Sequence, residues 1–141
     1  FVDKYYCTYT YASHTFIMGS SMGGLISMYA ICEYPEVFGG AICMSTHWPG
    51  IFASENNPIP LAFQNYLKAN LPNPKTHKIY FDFGTETLDK LYEPYQMKVD
   101  EIMKAKKFRQ KNCQTLKFEG EDHSEKSWAK RLSIPLAFML K

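Results

Sequence analysis

Thr15-Phe16-Ile17-Met18-Gly19-Ser20-Ser21-Met22-Gly23-Gly24-Leu25-Ile26-Ser27-Met28-Tyr29-Ala30 is the stretch on which the fold turns. Thr15 to Met18 is a short apolar run that ends at Gly19, and it reads as a buried strand. Leu25 to Tyr34 is apolar on every face and reads as a buried helix. Residues 19–24 between them then form a tight strand-to-helix turn. Pro35 stops the helix, because the residue before a proline is pushed out of the α region.

The same alternation continues downstream. Gly40 to Ser45 reads as a second buried strand, the Pro- and Asn-rich stretch Pro49 to Pro60 as a loop, and Leu61 to Leu71 as a short helix before Pro72-Asn73-Pro74. Lys78 to Gly84 gives a third strand. Leu91 to Phe108 has helical spacing at Leu91, Tyr95, Val99, Ile102 and Met103. Gln114 to Phe118 alternates as an edge or half-buried strand does. Ser124 onwards is a last helix, punctuated by Pro135. Four strands alternating with helices predict an α/β fold, a mainly parallel sheet with helices on both faces.

With 141 residues the chain has the length of one domain, and 45% apolar and 16% aromatic content marks it as globular. Sixteen basic against 14 acidic side chains leave +2, which gives no general affinity for nucleic acid. The one basic run, Lys104, Lys106, Lys107, Arg109 and Lys111, reads as a solvated helix end. No run of about 18 uncharged apolar residues exists to span a membrane. Cys7, Cys32, Cys43 and Cys113 lack C-x-x-C spacing and are expected as free thiols, mostly buried. Phe1-Val2-Asp3-Lys4 is neither a signal peptide nor an initiator methionine, so an N-terminal part is expected to be missing. Compartment and oligomeric state leave no mark in the sequence.

Gly19-Ser20-Ser21-Met22-Gly23 is a G-x-S-x-G motif in strand-turn-helix context, the setting of a nucleophilic serine. The turn must be sharp and strained for the hydroxyl to project, and Gly19 and Gly23 are expected to supply the room. Ser20 lacks glycine at both flanking positions, which leaves Ser21. The Met22 backbone N–H opens the helix beside it and can bind an oxyanion. An alcohol nucleophile needs a base and a carboxylate to hold the base's tautomer. His14 precedes the serine, His47 follows the second strand and His77 opens the third. His123 alone comes after the last strand, so it is the candidate base. The acid belongs in the loop after the third strand, where Asp89 is the first choice and Glu86 the alternative. Either carboxylate could instead cap the helix that begins near Leu91.

Met18 to Gly24, Pro35 to Gly40 and Gly120-Glu121-Asp122-His123-Ser124 resemble the nucleophile turn, the run into the next strand and the histidine loop of the putative-esterase family of α/β hydrolases. That family includes enterochelin-type siderophore esterases, feruloyl and acetyl-xylan esterases and S-formylglutathione hydrolase. The resemblance covers nearly the whole chain, as the second, catalytic half of an α/β-hydrolase domain whose N-terminal strands lie outside it. It implies Ser21 as nucleophile, His123 as base and Asp89 as orienting acid, with no cofactor and with small-molecule or carbohydrate-linked esters as substrates. The second oxyanion donor would come from outside the chain. Thr87 stands where the family commonly has an aspartate. The same triad also serves acyltransferases and thioesterases, and a truncated relative could keep the fold without turnover.

Three further features bear on the site. His47 and Trp48 follow the second strand at the end of the sheet where ligands bind, which makes them candidate pocket residues, with a packed aromatic as the other reading of Trp48. Tyr5, Tyr6, Tyr9 and Tyr11 alternate with polar residues and are expected to pack as amphipathic cover. His123 with Asp122 or Glu121 has no H-E-x-x-H or cysteine pair beside it, so no metal site is expected.

Overall fold

The computed structural model describes residues 1–51 and 56–141. Residues 52–55, in the middle of the expected Pro49 to Pro60 loop, lie outside the described residues. Strands β1 (Phe16–Ser20), β2 (Gly40–Met44), β3 (Lys78–Gly84) and β4 (Cys113–Phe118) form one sheet in the order β1-β2-β3-β4. All three pairings are parallel, with Gly19 opposite Cys43, Cys43 opposite Phe81 and Phe81 opposite Thr115. A parallel neighbour requires a crossover, and helices supply each one.

The helices are α1 (Val2–Tyr5), α2 (Met22–Glu33), α3 (Ile59–Asn70), α4 (Glu93–Ala105), α5 (Glu125–Arg131) and α6 (Ser133–Leu140). Strand side chains alternate between two cores. Ala41, Cys43, Ile79 and Phe81 meet Leu25, Met28 and Ile31 of α2, Leu67 of α3 and Val99, Ile102 and Met103 of α4. Ile42, Met44 and Tyr80 face Met139 on the other side, with Phe16, Leu116, Trp128, Leu132 and Phe138 around them. Met28, Ile31, Phe81 and Leu67 are fully buried, each contributing roughly 1.5–3 kcal/mol relative to an exposed position. Among the described residues no helix is long and apolar enough to cross a membrane.

Several local expectations shift. β1 is an edge strand and half-buried, with Met18 48% exposed, because an apolar run does not tell an edge from a centre. Helix α2 starts at Met22 and is open to solvent along Met22, Ile26 and Tyr29, so it is buried on one side only. Leu91 lies in a 3-10 turn before α4. The last helix divides at Leu132, before Pro135, which sits in the first turn of α6 where its missing N–H costs nothing. Tyr5, Tyr6, Tyr9 and Tyr11 are exposed and cover no core. The four cysteines are free, with Cys32 and Cys43 buried, and burial pushes the Cys32 thiol up to about 12.

Candidate active site

Ser21 occupies the bend between β1 and α2 at φ 57°, ψ −118°, a conformation that costs on the order of 1–3 kcal/mol for a residue with a side chain. Hydrogen bonds to the neighbouring strand hold it there. The Ser21 N–H donates to the Met44 carbonyl at 2.9 Å, and the His47 N–H donates to the Ser21 carbonyl at 3.1 Å. The Gly24 N–H, at 3.0 Å, shares that carbonyl. Gly19 is obligatory for the approach, since a Cβ there would lie 2.4 Å from the Gly23 backbone. A Cβ at Gly23 would meet nothing within 4 Å, so Gly19 alone supplies the room that both glycines were expected to share.

The loops after β3 and β4 are laced together. The Thr85 and Glu86 N–H groups donate to the Glu121 carbonyl at 3.0 and 3.1 Å, and the Gly120 N–H donates to Thr85 Oγ1 at 2.8 Å. The His123 N–H donates to Thr87 Oγ1 at 2.9 Å. This lacing delivers His123 to a point between Ser21 and Asp89. His123 Nε2 lies 2.9 Å from Ser21 Oγ, and Nδ1 lies 2.6 Å from Asp89 Oδ1. The other Asp89 oxygen, Oδ2, accepts from the Gly84 N–H at 2.6 Å and from the Ser45 hydroxyl at 2.5 Å. An ionised carboxylate only accepts, so the ring proton belongs on Nδ1 and the lone pair of Nε2 faces the serine.

Asp89 is buried, which by itself raises its pKa, but the hydrogen bonds from His123, Ser45 and Gly84 outweigh burial and hold it below the usual carboxylate value. The His123 ring stands edge-on to Trp128 at 5.0 Å and to Tyr92 at 5.7 Å between centroids, which confines its rotation.

Glu86 is exposed and takes no part in this line, whereas Thr87, at φ 50°, anchors the histidine backbone. The Met22 N–H is the first of α2, where amides have no partner within the helix, and the Met22 side chain is exposed. His47 stays half-buried beside the site, its Nδ1 2.7 Å from the Tyr92 hydroxyl; burial, with some repulsion from His123, lowers its pKa. Trp48 requires a correction. It is 2% exposed, packs on Phe63 and Phe81 and donates from Nε1 to Gln96 Oε1 at 2.9 Å, so it is a core residue that lines no pocket at Ser21. Asp122 accepts from Ser124 Oγ at 2.5 Å and from Ser127 Oγ at 2.6 Å, and Glu121 pairs with Lys130 at 2.9 Å. Neither carboxylate joins His123, and among the described residues no three metal-ligating side chains converge.

Over residues 1–139 the chain matches the family described as Putative esterase. The chain belongs to that family. No curated protein sequence matches it. Among solved structures, this family member is similar to a ferulic acid esterase, with TM-score 0.72 and 19% identity over 97% of this chain and 55% of that one. It is similar to the enterochelin esterase of Shigella flexneri, with TM-score 0.68 and 21% identity over 94% of this chain and 32% of that one. It is also similar to an S-formylglutathione hydrolase of Staphylococcus aureus, with TM-score 0.71 and 14% identity over 99% of this chain and 56% of that one. These likenesses give the fold, that of the α/β hydrolases. The Putative esterase chain spans about a third to just over half the length of these structures.

Sequence reasoning did not find Ser45, which touches Asp89; Tyr92 and Trp128, which flank the His123 ring; or Arg131, which holds Ser45. Ser45 carried one usable signal, its position directly after β2 at the end of the sheet that also holds Ser21.

Proposed function

We propose that this chain carries the catalytic centre of a serine carboxylic-ester hydrolase that works through an acyl-enzyme. The observation that supports it is the unbroken line from Ser21 Oγ through the His123 ring to Asp89, with contacts of 2.9 and 2.6 Å. Ser21 Oγ attacks the ester carbonyl carbon while its proton passes to His123 Nε2. Negative charge develops on the carbonyl oxygen, where the Met22 N–H at the start of α2 would donate to it. As the tetrahedral intermediate collapses, the ester C–O bond breaks and His123 returns the proton to the leaving alcohol. Water then attacks the acyl carbon and gives its proton to His123; the bond from the acyl carbon to Ser21 Oγ breaks, the carboxylic acid leaves and His123 returns the proton to Ser21. Asp89 keeps the Nδ1 tautomer and stabilises the transient imidazolium.

Water is the proposed acceptor, in keeping with the esterases and the hydrolase named among the similar structures. The proposed substrates are small-molecule or carbohydrate-linked esters, in keeping with the ferulic acid and enterochelin esterases named among the similar structures. A fluorophosphonate should label Ser21 rapidly in the full-length protein, and Ser21→Ala should abolish both labelling and turnover of an activated aryl ester. Undiminished turnover by Ser21→Ala would remove this reading.

A further inference from the structure

Ser45 follows β2 directly, is fully buried and adopts φ 41°, a conformation that a residue with a side chain takes only under constraint. Its hydroxyl has three neighbours. The Trp128 indole Nε1 lies at 2.9 Å, the Arg131 guanidinium Nη2 at 2.9 Å and Asp89 Oδ2 at 2.5 Å. Indole and guanidinium nitrogens donate and never accept, so they occupy the two lone pairs of the hydroxyl. Its single proton has one remaining direction, towards the carboxylate. Arg131 in turn is 3% exposed and is held 3.0 Å from Asp82 Oδ1, on the strand next to β2.

From this geometry we infer that Ser45 is a positioning residue for the reaction. Its hydroxyl is locked as a donor by Trp128 and by the buried Arg131–Asp82 pair, and it fixes the rotamer and proton affinity of Asp89. The inference rests on the hydrolase reading above and deepens it. With Oδ2 saturated by Ser45 and Gly84, the Asp89 carboxylate cannot turn, and Oδ1 is reserved for His123. A hydrogen-bond donor one bond away from a buried cation also draws charge off the carboxylate, which limits how far it stabilises the imidazolium. Among the described residues the other titratable groups that face this pair are His47 after β2 and Tyr92 before α4, and neither touches Oδ2.

The test is made on the full-length protein with Ser45→Ala and Ser45→Gly, the latter because glycine takes φ 41° without strain and removes only the side chain. Both variants should lower kcat on an activated aryl ester by about 10- to 100-fold with KM changed by less than about threefold, the loss expected for one hydrogen bond to a charged group. The acid limb of kcat/KM should move to higher pH, and the low-field proton resonance of His123 Nδ1–H should shift. Neutron diffraction on the unaltered protein should place the Ser45 deuterium on the line to Asp89 Oδ2, a readout independent of how the variants fold. An acid limb and resonance that stay in place in folded Ser45→Gly, or a deuterium aimed elsewhere, overturns the inference. Ser21→Ala separates the two levels. If it is inactive while Ser45→Gly behaves as the unaltered enzyme, only the role of Ser45 falls; if Ser21→Ala turns over normally, the hydrolase reading falls with it.

Discussion

Asp89→Asn has an outcome that the hydrogen-bond pattern dictates. The new side chain keeps the shape of the old one but has one oxygen and one NH2 where there were two oxygens. Two donors, the Gly84 N–H and the Ser45 hydroxyl, converge on the Oδ2 position at 2.6 and 2.5 Å. Ser45 cannot reverse to accept, because Trp128 and Arg131 occupy its lone pairs. The amide oxygen must therefore sit at Oδ2, and the NH2 must face His123 Nδ1. Nδ1 then becomes an acceptor, its proton moves to Nε2, and the nitrogen facing Ser21 can no longer take a proton. Turnover should fall by roughly three to four orders of magnitude, as for the corresponding aspartate change in serine proteases, which is about 4–5.5 kcal/mol of transition-state stabilisation. Glu86→Gln, on an exposed side chain, should alter kcat by less than about twofold. The assay is kcat for both variants on an activated aryl ester, with fluorophosphonate labelling to count intact sites. A loss below tenfold for Asp89→Asn, or a larger loss for Glu86→Gln, refutes the reasoning and moves the acid role to Glu86.

Gly19→Ala should destabilise the fold by about 1–3 kcal/mol or more, since its Cβ meets the Gly23 backbone at 2.4 Å, while Gly23→Ala should fold normally; urea unfolding of the pair checks this. Arg131→Met leaves Asp82 buried without its cation and should cost about 3–5 kcal/mol in the same assay, and a cost under 1 kcal/mol would show that Asp82 takes up a proton at no loss. The folded-state pKa of Asp89 lies below its ordinary value of 3.8, so its contribution to stability is present above that pH and is lost as pH falls through the folded value. The stability difference between the unaltered protein and Asp89→Asn should therefore shrink below about pH 4. Burial raises the Asp82 pKa and works in the opposite sense in both proteins, so it cancels in the difference. Finally, β1 leaves an open sheet edge beside the exposed Met18, Met22, Ile26 and Tyr29, so the 141-residue chain made alone should self-associate, and Ile26→Lys should reduce the apparent mass in sedimentation.

The strand-helix alternation was legible because each strand is a short apolar run bounded by glycine, proline or a polar loop, and Lys78–Gly84 has the bounds read from sequence. Ser21 and His123 were legible because chain order and the glycine-flanked turn constrain them without any contact needing to be known. What escaped was sidedness and partnership. An apolar run could not reveal that β1 lies at the edge, nor that α2 presents Ile26 and Tyr29 outward. Trp48 could not be separated from a pocket wall, since its place against Phe63 and Phe81 depends on how α3 folds back on the sheet. The partners of Thr87 and Ser45 could not be read, because their hydrogen bonds join positions 36 and 44 residues apart.

Those long-range partners follow from one topological fact. In a wholly parallel sheet with strands in chain order, every strand delivers its carboxyl end to the same rim. β1 ends at Ser20 and hands over Ser21, β2 ends at Met44 and hands over Ser45, β3 ends at Gly84 and leads to Asp89, and β4 leads to His123. Asp89 and His123 follow neighbouring strands, so their loops can lie side by side and exchange hydrogen bonds through Glu121, Thr85 and Thr87. Ser21 follows a strand two further away, and it meets His123 only because the histidine loop reaches back across the rim. Ser45, from the strand between those of Ser21 and Asp89, meets Asp89 from the side away from His123, at Oδ2. A residue in that place must carry a proton for the carboxylate and must accept from Trp128 and Arg131. Serine meets both demands, and the strained backbone at φ 41° is what aims its hydroxyl at Asp89.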